Sequence, residues 1–85
     1  MVLKIAERIY EKIEKEEKLC VVINCGKSHI MDKVVPDTVD VEDGIYIEGE
    51  NLILDINSDE EIKISFDEAE DEFVIKQGDV TYYIS

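Results

Sequence analysis

Cys20, Cys25 and His29 are the residues of this 85-residue chain whose types are best suited to chemistry. Together they spell C-x4-C-x3-H. Structural zinc usually takes a C-x2–4-C pair and needs four ligands, and the chain has no fourth Cys or His to complete a set. On a strand, Cys20 and Cys25 would also point to opposite faces. Cys25 and His29 as nucleophile and base lack an acidic residue placed to orient the imidazole. Gly26-Lys27-Ser28 matches the end of a phosphate loop, but the glycine required five positions earlier is Val21, and no helical pattern follows. Asp55, Asn57 and Asp59 match the start of a calcium loop. Its sixth position is Glu60 where glycine is needed, and its closing position is Phe66. These residues predict no catalytic group, no cofactor and no metal, so the chain reads as a non-enzyme. Two cysteines are too few for a disulfide framework and are expected as free thiols.

The elements that carry these residues follow from periodicity. Val2, Ile5, Ala6, Ile9 and Ile13 recur at spacings of three and four, which predicts an amphipathic helix over 2–17. Beyond it the period becomes two, and strands are expected within 19–25, 29–35, 39–48, 51–57, 61–66, 72–76 and 79–84. Leu19–Ile23 is the longest apolar run and suits a strand buried on both faces. Gly49-Glu50 as a two-residue turn sets Ile45 and Ile47 against Leu52 and Leu54. A loop at Ser58–Glu60 then sets Ile56, Leu54 and Leu52 against Ile62, Ile64 and Phe66 on the same face. A Gln77-Gly78 turn sets Phe73 and Ile75 against Tyr82 and Val80, with Lys76 opposite Asp79. The expected fold is one α+β domain over 1–85, its N-terminal helix packed on an antiparallel meander of five to six strands. An apolar fraction of 45% supports a folded core despite the charge. No run is long enough for a membrane helix, and nothing after Met1 reads as a targeting segment, so a cytoplasmic location is expected.

Charge is distributed unevenly along this frame. Residues 1–36 hold seven bases and six acids, whereas residues 37–85 hold 16 acids and only Lys63 and Lys76. The acids crowd the hairpin ends: Asp40, Glu42 and Asp43; Glu48 and Glu50; Asp59, Glu60 and Glu61; and Asp67, Glu68, Glu70, Asp71 and Glu72. A face that serves only for solubility mixes both signs, as the helix does, and a single-sign run costs stability through self-repulsion. Outward carboxylates at i and i+2 stand about 6.6–6.8 Å apart. Duplex DNA carries one phosphate per about 3.4 Å of axis on each strand. Gathered on one stiff face, these carboxylates would offer a density of negative charge comparable with a nucleic-acid backbone.

Such a surface selects a protein partner with a basic, nucleic-acid-binding site and repels nucleic acid and anionic membrane. Tyr46 and Tyr83, both expected to face outward, are the candidate anchors, because rim charges alone add little affinity. In size and charge the chain resembles the DNA-mimic inhibitors encoded by phages against restriction, repair and CRISPR systems. That resemblance implies an anti-defence role by occupancy and extends to no particular residue. The alternative is a small regulatory or ligand-sequestering homo-oligomer built through an open sheet edge or a cleft between subunits.

Overall fold

The computed structural model describes residues 2–57 and 59–85. Helix α1 spans Val2–Lys15 and buries Ile5, Ala6 and Ile9. Lys12 and Lys15 in its last turn complement the negative end of the helix dipole. The helix stops two residues short of the predicted end. Glu16 takes a left-handed conformation at φ 53°. Glu17 N–H then reaches back to the Lys12 carbonyl at 2.9 Å, and Glu16 N–H to that of Ile13 at 3.2 Å, a Schellman closure.

Among the described residues eight strands follow: β1 (Leu19–Cys25), β2 (Ser28–Val34), β3 (Pro36–Asp40), β4 (Gly44–Gly49), β5 (Leu52–Asn57), β6 (Lys63–Asp67), β7 (Glu72–Gln77) and β8 (Val80–Ile84). The class is α+β with an N-terminal helix and antiparallel pairing, but the strands form two sheets in place of one meander of five to six. One sheet has the order β2-β1-β8-β7-β6 and the other β3-β4-β5. The expected pairing of the segment around Leu54 with that around Ile64 is therefore not made, because the chain crosses from one sheet to the other between β5 and β6. Ser58, at the start of the loop proposed there, lies outside the described residues. The C-terminal strand instead enters the centre of the larger sheet beside β1, where Cys20 and Ser85 exchange backbone hydrogen bonds of 2.8 and 3.0 Å.

Two hairpins are shifted by two residues from the predicted register. Ile47 faces Leu54 and Ile45 faces Ile56, which puts the turn at Glu50-Asn51. Gly49 is not a turn residue. It ends β4 where the Val34 side chain and the Val35 carbonyl come so close that a Cβ would overlap them. In the last hairpin Ile75 faces Tyr82 and Phe73 faces Ile84 around Gly78-Asp79, so Lys76 opposes Thr81 and not Asp79. Gly78, at φ 57°, occupies the first central position, where a type II′ turn requires positive φ. A shift of two leaves every side chain on its predicted face, so the alternation is preserved.

The inward faces of both sheets and the helix share one core. Ile5 and Ile9 meet Leu19, Val21, Val39, Ile45, Ile47, Leu54, Ile56, Phe73, Ile75 and Ile84, all buried. Helix α1 packs along β3. Among the described residues no helix is long and apolar enough to cross a membrane.

Candidate functional site

The three-stranded sheet turns Val39, Ile45, Ile47, Leu54 and Ile56 inward, which leaves the alternate positions to form an outer face. Register sets two cross-strand rows on that face. Asp40, Tyr46 and Asp55 stand side by side in one, and Thr38, Glu48 and Ile53 in the next. Rows lie about 6.6–6.8 Å apart along the strands and neighbours about 4.7–4.9 Å apart across them. The Tyr46 hydroxyl donates to Glu48 Oε2 at 3.2 Å, tying one row to the other. Partial burial, then that bond and the negative field of Glu48 and Asp55, push the Tyr46 phenol above its ordinary pKa. It stays a neutral donor across the physiological range.

Asp40 Oδ1 accepts the Glu42 N–H at 3.0 Å and so braces the turn that carries Glu42 and Asp43. Asp40, Glu42, Asp43, Tyr46 and Asp55 surround an open depression of about 230 Å³. Glu50 extends the charge into the β4–β5 turn. No Lys, Arg or His occurs between Pro36 and Ile62. Ile53, the second residue of β5, is 66% exposed, so the face combines carboxylates with one aromatic and one aliphatic side chain.

The remaining predicted residues do not join this face, which corrects the expectation of a single acidic surface. Asp59, Glu60 and Glu61 lie in the crossing between sheets, and the latter two line a groove with Lys63 and Lys76, the only bases of the acidic half. Asp67–Glu72 belongs to the β6–β7 hairpin of the other sheet. There Asp67 Oδ1 accepts the Ala69 and Glu70 N–H groups at 3.0 and 3.3 Å, so its charge shapes the turn. Asp71 is paired with Arg8 of the helix at 2.9 Å. Glu68 and Glu70 are exposed on the same turn. Tyr83 lies on β8 of the larger sheet, remote in topology from Tyr46.

Asp55 and Ile53 are the site residues missing from the sequence reading. The register expected there put Ile53 opposite Tyr46; the observed one brings Asp55 beside it instead. The signal was the alternation Leu52, Leu54, Ile56 against Ile53, Asp55, Asn57, which already assigned both residues to the outer face.

The cysteine and histidine constellation is not assembled. Both cysteines are free, Cys20 half-buried and Cys25 exposed. Cys25 shares its face of the hairpin with Ile23, whereas His29 stands on the opposite face beside Asn24 and donates from Nδ1 to Asn24 Oδ1. Among the described residues no group of three or more His, Cys, Asp or Glu is placed to hold a metal ion. Comparison with known proteins finds no matching family model, no similar curated protein and no similar solved structure.

Proposed function

We propose that this protein is a non-enzymatic inhibitor that docks the outer face of its three-stranded sheet on a basic, nucleic-acid-binding surface of a partner protein in the cytoplasm and blocks it by occupancy. The observation that carries this reading is the row Asp40–Tyr46–Asp55 beside Glu48 and Ile53, on a sheet without one base. The face presents charge on a rigid ladder, so little ordering entropy opposes binding. Its carboxylates steer a basic partner, and Tyr46 and Ile53 are the groups that desolvate at the centre of contact. In this reading the face takes the place of a phosphate backbone, as in DNA-mimic inhibitors.

Asp55→Lys and Ile53→Ala test it, because both side chains are exposed and neither substitution should move stability by more than about 0.5 kcal/mol. The protein is used to capture host proteins, and each captured protein is assayed for binding at rising salt and in competition with duplex DNA. A partner that is released by salt, displaced by DNA and lost with Asp55→Lys is the expected result. A partner indifferent to salt, to DNA or to Asp55→Lys refutes the reading.

A further inference from the structure

The outer face of the five-stranded sheet carries an unusual arrangement of charge. Register aligns Met31, Val22, Tyr83, Val74 and Ser65 in one row across all five strands. Four of the five are apolar or aromatic, and Met31 is 64% exposed. Two residues along the strands on one side lies the row Lys63, Lys76, Thr81, Asn24 and His29. On the other side Asp67 stands directly opposite Glu72. The face therefore holds two like-charge cross-strand pairs, Lys63 with Lys76 and Asp67 with Glu72, and each is repulsive within one molecule. Among the described residues the ion pairs are Arg8–Asp71, Lys12–Glu17 and Lys15–Glu11, so Glu60 and Glu61 line a groove with Lys63 and Lys76 without forming an ion pair with either. Partial burial and the nearby Glu70 and Asp67 carboxylates hold the Glu72 pKa above its ordinary value, as an uncompensated acid requires.

We propose that this face is a self-complementary interface on which a second copy of the chain packs, sheet against sheet, about a twofold axis along the Met31–Val22–Tyr83–Val74 row. That rotation lays the apolar row on itself and exchanges the two flanking rows. Lys63 sits on the same strand as Asp67, and Lys76 on the same strand as Glu72, each two residues to either side of the row. The rotation therefore sets Lys63 over Asp67 of the second copy and Lys76 over Glu72 of the second copy. Both repulsive pairs of the monomer become opposite-charge contacts, four in all. The strands of the two sheets run nearly aligned, as face-to-face sheets do, with the layers about 10 Å apart. At the β2 end His29 meets Lys33 of the second copy, so the charge match is confined to the β6–β7 half. The acidic face of the three-stranded sheet takes no part, and a dimer presents it twice.

A charge-swap cycle tests this with the protein alone, by sedimentation velocity and light scattering over a range of concentrations. Glu72 and Lys76 are four residues apart on one strand, about 13 Å, too far to interact within a molecule. Lys76→Glu and Glu72→Lys should each weaken the dimer about tenfold, because every lost pair is lost twice and is replaced by a repulsion. Each substitution also turns one cross-strand pair of the monomer, with Lys63 or with Asp67, into an opposite-charge one, but the double variant alone restores opposite charges between positions 72 and 76 across the twofold and should recover wild-type association. Val74→Lys, at the end of the apolar row between Lys76 and Glu72 on β7, should give a folded monomer by circular dichroism. A wild-type protein that stays monomeric at every concentration overturns the proposal, as does a double variant no better than either single one.

Discussion

Replacing Arg8 by alanine should show what fastens the helix to the larger sheet. The guanidinium makes three kinds of contact. Nη2 pairs with Asp71 Oδ1 at 2.9 Å and Nη1 donates to the Asp71 carbonyl at 3.3 Å. Its central carbon lies 5.8 Å from the Phe66 ring centroid and 5.6 Å from that of Phe73. Those rings are themselves packed at 4.9 Å and tilted by 59°. The Asp71 side chain is 73% exposed, which places the ion pair at the low end of the surface range, about 0.2–0.5 kcal/mol. Each ring contact contributes about 0.5–1 kcal/mol, and the arginine stem shields apolar ring surface as well. The rings should therefore outweigh the salt bridge. Arg8→Ala is expected to cost about 1.5–2.5 kcal/mol and to lower Tm by roughly 6–20 °C for a chain of this size. Asp71→Asn keeps a residue tolerant of the left-handed backbone at φ 52° and removes only the charge. It should cost less than about 0.5 kcal/mol. Urea and thermal unfolding of both single variants and the double one, followed by circular dichroism, separate the contributions. An Asp71→Asn loss as large as that of Arg8→Ala refutes the ranking, and an Arg8→Ala loss below about 0.5 kcal/mol refutes the anchoring itself.

Gly49→Ala should destabilise by about 1–3 kcal/mol, because its Cβ would overlap the buried Val34 side chain and lie 3.0 Å from the Val35 carbonyl oxygen; an unchanged urea midpoint would show that β4 and the β2–β3 corner can separate without cost. A second expectation concerns pH. The folded chain holds the Glu72 proton more tightly than the unfolded chain does, so this group's contribution to stability grows as pH falls from neutral through the raised value and levels off below the ordinary carboxylate range. In dilute protein the stability difference between Glu72→Gln and wild type should shrink over that interval, and a difference independent of pH would contradict the crowding of Glu72 by Glu70 and Asp67.

What the sequence settled by itself is whatever depends on local period and parity. The three- and four-residue spacing of Ile5, Ile9 and Ile13 is enough for a helix, and the alternation of Ile45, Ile47, Leu54 and Ile56 is enough to put them on one buried face. The excess of carboxylates beyond Pro36 is likewise a property of the chain alone. Parity is blind to a shift of two, however, so the pattern could not choose between Gly49-Glu50 and Glu50-Asn51. That choice rests on the backbone approach at Gly49 and decides whether Asp55 stands beside Tyr46. Nor could an amphipathic strand announce its partner. Leu54 and Ile64 have matching faces, yet β5 closes one sheet and β6 opens the edge of another. Only the tertiary structure, by burying both sheets and the helix around a single core, put β8 beside β1 and divided the acids between two surfaces. Long-range pairing is set by that shared burial, to which no short stretch of residues has access.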